Sequence, residues 1–499
     1  MTTIPSGRTR VVVVLALAAF IGSVDLTVAT TMLRRIIVHL EIPLPDGFGR
    51  AAWIVNAYIV AYVGAMPLAG RLSDVVGRRR VVVGSLALFS IGSALAPFAT
   101  TLETFVAARV VAAIGAGAVV PAALATVADL FPERRGRAFG VLFGAETLGY
   151  VCGPLVGAVL IRFADWPWHF YGAVPIGIVA LILAARVMRH LPRPTQRRSL
   201  DLPGALLITT ALVAVVVGLL SLGSIASAGD LAGFEGSRSG PAWPVFALAI
   251  VAGVGFVIAE RRAGDPLVPP GLLGRRPVVP ALIVNLSIGA ILAVAMVNVP
   301  LFVNLVLEAD LRAAAVTSGI VLTALTATMA AASPVGGWLA DRITYRLPVM
   351  FGTALLVTGL LLMGRGWDTD VTTAAMAAHL MIAGAGLGLA TAPLSAAVVD
   401  AAAGPDRGVA ASVVLVARLV GLALGLAGLT AWALNRFDAL RRTVDLPPIT
   451  DPAYADAVEA AQRQISATVL SETFLVSAVI AAAALVVAVA IRRSPTRAT

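Results

Sequence analysis

Four ionisable residues lie inside long apolar runs of this sequence, and they are its strongest candidates for chemistry. They are Asp25, Arg109, Glu146 and Arg418. A charge at the centre of a lipid bilayer costs at least about 2.5–3.5 kcal/mol on insertion scales, so such residues usually have a partner or a function. A carboxyl in this setting can bind and release a proton, and a guanidinium beside it can govern when it does so.

Asp25 and Arg109 are expected to lie at similar depth. At about 1.5 Å per residue, Asp25 lies roughly 20 Å from the start of the first apolar run, and Arg109 lies roughly 10 Å from the opposite face. We therefore expect the two side chains to interact, with Asp25 taking up a proton and Arg109 controlling that uptake by its distance. The alternative is a static ion pair that fastens the first run to the fourth.

Glu146 and Arg418 are each expected near the middle of a run. No cation neighbours Glu146 in the sequence, which favours a neutral carboxyl that acts as a second proton site or as a polar contact in a cavity. The alternative is a carboxyl held by a neighbouring Ser or Thr. Arg418 lies in the second half of the chain. We expect it to lock the two halves together through Glu146 or Asp74.

The composition indicates that these residues belong to a membrane protein. Of the 499 residues, 59% are hydrophobic and only 13% are charged, whereas soluble domains are about one quarter charged. Apolar runs long enough to cross a bilayer, roughly 20 residues each, follow one another along the chain. The first run resembles a signal peptide, but Asp25 interrupts it and further runs follow, so we expect a retained helix.

Fourteen spans are predicted, which makes the fold class all-α. They form two six-helix bundles (1–190 and 276–499) separated by a segment with two inserted linker helices (191–275). The spans lie near 11–35, 51–72, 80–100, 103–129, 137–162, 168–189, 203–225, 243–260, 280–307, 316–340, 348–365, 372–400, 408–438 and 455–491.

Arginine sets the predicted orientation. The chain contains no lysine, so all 37 basic residues are arginine. Most of them fall between spans on the side that holds the N-terminus, which the positive-inside rule places in the cytoplasm. We expect both termini to be cytoplasmic, in a bacterial inner membrane. The net charge of +10 is explained by these clusters, so no nucleic-acid partner is expected.

An internal repeat supports two parallel halves. The pattern P-x-x-G-x-L-x-D begins at Pro67 and again at Pro334, each time at the cytoplasmic end of the second span of a six-span block. Parallel repeats of this kind are typical of transporters whose halves are related by an axis along the membrane normal. Asp74 ends the first copy, and we expect its carboxylate to face a helix N-terminus of the opposite half.

These motifs resemble the major facilitator superfamily, in particular its fourteen-helix drug:proton antiporter branch. The loop that contains Gly70, Asp74, Gly77 and Arg78 is similar to the signature loop of that superfamily. Arg109, with Gly115 and Gly117 after it, partly resembles the motif of the fourth helix. The antiporter motif of the fifth helix, which the family associates with export, is matched by Gly149, Gly153, Pro154 and Gly157.

The first two spans are closer to the mycobacterial exporters of triacylglycerol and related lipids, also described as multidrug pumps. That resemblance implies proton-coupled export of lipophilic molecules by alternating access, with multidrug:proton antiport as the alternative. It also implies a periplasmic lipoprotein carrier as partner, and we expect a monomer. A helical extension near 435–465, longer than a bilayer requires, is expected to guide acyl chains or meet the carrier; an ornamental loop is the alternative.

Other classes of protein are less favoured. The sequence has no H-E-x-x-H, G-x-S-x-G or G-x-x-x-x-G-K-[ST] motif, which disfavours an enzyme and ATP-driven pumping. A passive lipid scramblase would not need buried acids in the first half. The four histidines are scattered and Cys152 is single, so neither a metal site nor a cofactor is expected.

Overall fold

The computed structural model describes residues 6–42, 48–132, 134–191, 201–225, 243–308, 310–444, 447–448, 451 and 454–491. Within these ranges the chain forms fourteen helices that are long and apolar enough to cross a membrane, and no strand. The predicted all-α class and the predicted number of spans are confirmed. The helices are α1 (Ser6–His39), α2 (Trp53–Val75), α3 (Arg78–Leu95), α4 (Leu102–Leu130), α5 (Arg135–Phe163), α6 (Pro167–Val187), α7 (Leu202–Ile225), α8 (Trp243–Arg262), α9 (Val278–Phe302), α10 (Leu311–Arg342), α11 (Arg346–Gly366), α12 (Thr373–Ala401), α13 (Arg407–Arg441) and α14 (Tyr454–Ala488).

Local sequence explains where several helices begin and bend. Thr101 caps α4 in a reciprocal capping box with Thr104, which satisfies two of the backbone N–H groups left free at a helix start. Pro67, Pro154 and Pro334 lie inside α2, α5 and α10, where each removes one backbone hydrogen bond. Neighbouring helices cover such sites in membrane proteins, so proline is tolerated there.

The two halves repeat one packing pattern. In the first half α1 packs on α5, α2 on α4, and α3 on both α4 and α6. In the second half α9 packs on α13, α10 on α12, and α11 on both α12 and α14. Each helix of the first half thus has a counterpart eight helices later. The domain limits at 190 and 275 remain predictions.

Helices α7 and α8 pack on each other beside these two sets. Helix α7 also contacts α2 of the first half and α13 of the second. Its Thr209 hydroxyl donates to the Gly64 carbonyl at 3.2 Å, which fixes the contact with α2. The inserted pair therefore touches both halves.

The helix bundle has two chemically different ends. We call one the arginine-rich end: it is where α2 meets α3, α4 meets α5 and α12 meets α13, and it carries Arg78, Arg135 and Arg407. We call the opposite one the hairpin end, because α13 and α14 extend there to Arg441 and from Tyr454. These two helices have 35 residues each, about 50 Å of helix, against a hydrocarbon core of about 30 Å.

Candidate functional site

Asp25 on α1 lies in a closed cluster of polar side chains. Nη1 of Arg109, from α4, lies 2.5 Å from Asp25 Oδ2, and Nη2 donates to the Asp25 backbone carbonyl at 3.0 Å. Nε2 of His169, from α6, lies 2.9 Å from the other carboxylate oxygen. The Asp25 side chain is 1% exposed and that of Arg109 is fully buried. The contact expected from their depths is present, and it joins α1 to α4 and α6.

Aromatic side chains surround this cluster. The Arg109 guanidinium lies 4.1 Å from the centre of the Tyr58 ring, a cation–π contact that compensates part of the lost hydration. The Tyr58 hydroxyl donates to the Gly22 carbonyl at 3.3 Å. Towards the hairpin end the buried rings of Phe105, Trp166 and Phe170 pack edge to face. These rings pack beside the cluster on that side.

His169 and Tyr58 were missed by sequence reasoning. His169 is close to the start of α6, so its position in the sequence gave no reason to place it beside a residue in the middle of α1. The available signal was its type, because histidine in the first turn of an apolar helix can reach a buried acid. Tyr58 carried no signal, since one aromatic ring in an apolar helix usually belongs to the core.

Glu146 on α5 and Arg418 on α13 form an ion pair between the two halves. Arg418 Nη2 donates to both carboxylate oxygens, at 2.9 and 3.0 Å. The Tyr150 hydroxyl donates to Glu146 Oε1 at 2.9 Å, and the Arg418 guanidinium lies over the Phe143 ring. Of the two partners expected for Arg418, the structure shows Glu146. The other interpretations of Glu146, a carboxyl without a cation or one held by Ser or Thr, are wrong. The cation comes from a helix 272 residues away, beyond any local pattern.

Arg418 was also considered as a partner for Asp74, and the structure places Asp74 elsewhere. Its carboxylate accepts hydrogen bonds from the backbone N–H groups of Gly408 and Val409, at 3.0 and 3.1 Å. These residues begin α13, where unpaired N–H groups and the helix dipole favour an anion. The expected contact with a helix N-terminus of the other half is present, at the arginine-rich end.

The other residues of the signature loop hold Asp74 in place. Arg78 pairs with Asp74 and donates to the Ser73 hydroxyl at 2.6 Å. Gly77 has a φ of 105°, a conformation that side chains other than glycine rarely adopt, and it precedes α3. Gly70 lies against the Gly408 backbone so closely that a Cβ there would overlap the Gly408 carbonyl. This loop therefore joins α2 to α13.

The second copy of the repeat makes the corresponding contact in the opposite direction, from the second half to the first. The Asp341 carboxylate accepts from the N–H groups of Gly136 and Arg137 at 2.8 and 2.9 Å, at the start of α5. Sequence reasoning found the repeat but did not assign this contact. The two aspartates thus bind helix N-termini in opposite halves, as a two-fold relation requires.

Further ion pairs close the same end. Asp129, at the end of α4, lies 2.7 Å from Arg407 of the second half and 3.2 Å from Arg78. Arg135 of the first half pairs with Asp400, which also contacts the Tyr345 hydroxyl. The halves are therefore joined at the arginine-rich end and, through the buried pair of Glu146 and Arg418, in the interior of the helix bundle.

The glycines of the antiporter motif pack within the first half. A Cβ at Gly149 would lie 2.5 Å from the Phe20 carbonyl, and one at Gly157 would lie 2.9 Å from Thr31 Cβ, both on α1. Gly153 meets Thr27 of the same helix. Pro154 lies inside α5 between these contacts. This face is therefore used for the close contact of α5 with α1.

A second glycine run on α5 makes the contact between halves. Gly136, Gly140 and Gly144 recur every four residues and face α10; a Cβ at Gly140 would lie 2.5 Å from the Ser333 carbonyl and 2.6 Å from Pro334 Cα. Sequence reasoning missed this run, although its spacing is the same as that of the run it identified. Such spacing lets backbones approach closely in membranes.

Comparison with known proteins identifies the family of this fold. Residues 15–426 and 286–499 match the model of the Major Facilitator Superfamily. The chain belongs to the major facilitator superfamily. It is therefore a multi-pass membrane transporter and, as expected, not an enzyme.

Individual superfamily members resemble this chain over most of its length. A triacylglyceride transporter of Mycobacterium tuberculosis is 32% identical over 496 residues, which cover 95% of this chain and 93% of that protein. A triacylglyceride transporter of Mycobacteroides abscessus is 33% identical, with coverages of 85% and 82%. The expected resemblance to mycobacterial lipid exporters is thereby confirmed.

Solved structures of the superfamily share the fold. The human organic anion transporter MFSD10 has a TM-score of 0.57 and 18% identity, over 96% of this chain and all of that one. The proton:xylose symporter XylE has a TM-score of 0.59 and 14% identity, with coverages of 96% and 95%. At these identities the comparison supports the architecture.

An apolar cavity of about 1000 Å³ lies between α2, α3, α4 and α7 of this superfamily member. Its walls include Ala61, Leu88, Ile114 and Leu206, and Arg80 lies at its arginine-rich end. Three of these apolar side chains are exposed, so the cavity opens at the surface of the helix bundle. Across the described ranges, no group of three or more His, Cys, Asp and Glu residues could hold a metal ion.

Proposed function

We propose that this protein is a proton-coupled exporter that moves lipids, such as triacylglycerol or acylated glycolipids, out of a bacterial inner membrane by alternating access. The observation that carries the proposal is the buried cluster of Asp25, Arg109 and His169. It lies in a chain 32% identical over 95% of its length to a triacylglyceride transporter. An acid held in the membrane is the part that a passive lipid channel would not need.

The arginine-rich end is proposed to face the cytoplasm, with both termini on that side. This orientation follows the positive-inside rule. The aspartate contacts of Asp74 and Asp341 then close the cytoplasmic end, and the conformation is one that faces outwards. In this conformation a proton can arrive from the side where its concentration is higher.

Proton binding to Asp25 is proposed to start the cycle. A proton on the Asp25 carboxylate neutralises it and removes the charge that holds Arg109 at 2.5 Å. The guanidinium is then buried without its counter-ion, a state that costs about 3–5 kcal/mol for a broken buried pair. Rearrangement of α4 against α1 relieves that cost, which couples the proton to a change in shape.

The Glu146–Arg418 pair is proposed to lock the two halves, together with Asp74 at the end of the bundle. It crosses the interface, so rocking of one half against the other must break it. Protonation of Glu146 would weaken the attraction and make the break easier, which gives Glu146 a second coupling role.

Lipophilic cargo suits the apolar surfaces of the protein. The cavity beside α2 and α7 opens to lipid and accepts an acyl chain without burying polar groups. The extension of α13 and α14 is proposed to guide the chains away from the membrane and to meet a periplasmic lipoprotein carrier. The transporter is proposed to act as a monomer.

Multidrug:proton antiport is the alternative. It is favoured by the glycine face formed by Gly149, Gly153 and Gly157, which is similar to the export motif of drug antiporters. The same Asp25 cluster would serve either cargo, so the cargo has to be decided by experiment.

Purified protein in proteoliposomes with an imposed pH gradient tests the proposal. Labelled triacylglycerol should leave the donor leaflet for an acceptor only when the gradient is present. Movement that is equally fast without a gradient would identify a scramblase and refute coupling. Transport of a lipophilic cationic dye in place of the lipid would identify a drug antiporter.

Replacement of 438–460 by a short linker separates the two cargoes further. Lipid export should be lost while any dye transport is retained, because only lipid transfer uses the extension. A variant with a scrambled sequence of equal length between Arg441 and Tyr454 is the matched control. Unaltered lipid export by the shortened protein would contradict the role of the extension.

A further inference from the structure

His169 has no assigned role, although it contacts the candidate proton acceptor. It is the third residue of α6, in the first helical turn at the hairpin end. Its Nε2 lies 2.9 Å from Asp25 Oδ1, and its ring packs against Phe170. One residue therefore links the outermost turn of α6 to a carboxylate in the interior of the first half.

The geometry leaves few ways for a proton to reach Asp25. Oδ2 is occupied by Arg109 at 2.5 Å and Oδ1 by His169 at 2.9 Å. The Asp25 side chain is 1% exposed, whereas that of His169 retains 6%. Arginine does not release its proton at physiological pH, so the imidazole is the neighbour suited to pass one on.

The charged and titratable groups of the cluster that contains His169 come from three other helices. Asp25 of α1 contacts the ring itself, whereas Arg109 of α4 contacts Asp25 and Tyr58 of α2 contacts Arg109. The tyrosine hydroxyl ordinarily titrates near pH 10, far above the working range. In the described part of the chain, neither α3 nor α5 places a charged side chain within hydrogen-bonding distance of the ring.

We propose that His169 is the relay through which Asp25 receives its proton from the hairpin end. The inference rests on the proposed function, because it assumes that Asp25 is the coupling acid. A proton from water binds Nδ1 of the neutral ring, and the proton on Nε2 passes to Asp25 Oδ1. The ring is left neutral with its proton on Nδ1. The starting tautomer returns when Nε2 takes up one proton from water and Nδ1 releases its own proton to water.

A purely structural role for His169 would also explain its contact with Asp25. His169→Gln distinguishes the two, because glutamine can still donate a hydrogen bond but does not titrate between pH 5 and 8. In proteoliposomes with an entrapped pH dye, the variant should take up protons at least tenfold more slowly at pH 7. Transport driven by the gradient should fall in parallel, and its pH profile should move towards acid.

His39→Gln is the matched control. His39 also lies at the hairpin end, where its ring packs 5.1 Å from the Trp166 ring, and in the described structure it makes no contact with Asp25. Its variant should keep the wild-type rate of proton uptake. His169→Gly with added imidazole gives a second measurement: partial recovery of proton uptake supports a relay, since free imidazole carries protons but cannot anchor α6.

The outcomes for Asp25→Asn separate this inference from the proposed function. If Asp25→Asn keeps coupled transport, the proposed function fails and the relay with it. If Asp25→Asn abolishes coupling while His169→Gln keeps the wild-type rate and pH profile, the relay alone is overturned. A His169→Gln protein that is slow at pH 7 and not rescued by acid, with no imidazole recovery in His169→Gly, would identify a structural role and overturn it as well.

Discussion

Two ion pairs buried in this membrane protein have similar chemistry and different surroundings. Asp25 and Arg109 belong to the same half, and His169 and Tyr58 of that half complete their contacts. Glu146 and Arg418 belong to opposite halves. Movement of one half as a rigid body leaves the first pair intact and must break the second. In the proposed mechanism the first pair is therefore switched by a proton, whereas the second can be switched by movement alone.

The pair that crosses the interface also occupies equivalent positions of the two halves. Glu146 lies eleven residues after the start of α5, and Arg418 lies eleven residues after the start of α13. Because α5 and α13 are counterparts in the repeat, the pair lies where a two-fold axis would pass. Equivalent positions of the two halves thus carry opposite charges, and a single ion pair joins the halves near their centre.

Removal of the acid of the first pair should have the largest effect. Asp25→Asn keeps the size of the side chain and removes the proton site, so gradient-driven export in proteoliposomes should fall to the level of empty vesicles. Asp370→Asn, at an exposed position between α11 and α12, should retain full activity. A fully active Asp25→Asn protein would remove the difference between the two pairs.

Disruption of the second pair should cost stability and favour the inward-facing state. Arg418→Ala leaves Glu146 buried without a cation, which should lower the free energy of unfolding by about 3–5 kcal/mol. Replacement of both residues by Leu should recover most of that loss. Thermal unfolding measures the first effect, and spin-label distances across the arginine-rich end measure the second. If the double variant is no more stable than Arg418→Ala, the loss of stability does not come from an unpaired Glu146 carboxylate.

The two glycine runs of α5 extend the comparison to packing. A Cβ at Gly140 would lie 2.5 Å from a carbonyl of α10 in the other half, and one at Gly149 would lie 2.5 Å from a carbonyl of α1 in the same half. Each overlap should cost about 1–3 kcal/mol. Gly140→Ala should separate spin labels across the arginine-rich end, whereas Gly149→Ala should lower the melting temperature without changing those distances. Equal label distances in both variants would contradict this division of roles.

A third ion pair outside the buried region gives the smallest expected effect. Arg436 donates to both Glu472 carboxylate oxygens at 2.6 and 2.9 Å, where α13 and α14 run together, and both side chains are partly exposed. Exposed pairs contribute about 0.2–1 kcal/mol. Arg436→Gln should therefore shift the unfolding midpoint only slightly and leave transport unchanged. A loss as large as that of Arg418→Ala would mean that burial does not decide the strength of these pairs.

The sequence was sufficient for features that depend on position along the membrane normal. Apolar runs gave the fourteen helices, and the rise per residue brought Asp25 and Arg109 to the same depth. The type and position of Asp74 indicated a contact with a helix N-terminus. Each of these inferences needs only one coordinate, the distance along a helix.

Features that depend on rotation about a helix axis could not be obtained in this way. Whether Glu146 faces Arg418 or a serine depends on how α5 is turned, and apolar residues all around the helix give no sign of it. For the same reason the sequence did not show that Gly149 faces α1 whereas Gly140 faces α10. His169 was missed because it lies near the start of α6 whereas Asp25 lies in the middle of α1. The relative height of these two helices depends on the loops, which the sequence does not reveal.

The paired aspartates at the arginine-rich end have a consequence for leakage. Asp74 and Asp341 hold four backbone N–H groups, two on each side of the interface, and a symmetric movement has to release all four together. Partial opening gains little, because the aspartate that remains bound keeps its helix in place. In the proposed cycle the arginine-rich end would therefore open in one step, which limits the time in which both faces of the membrane are connected through the protein.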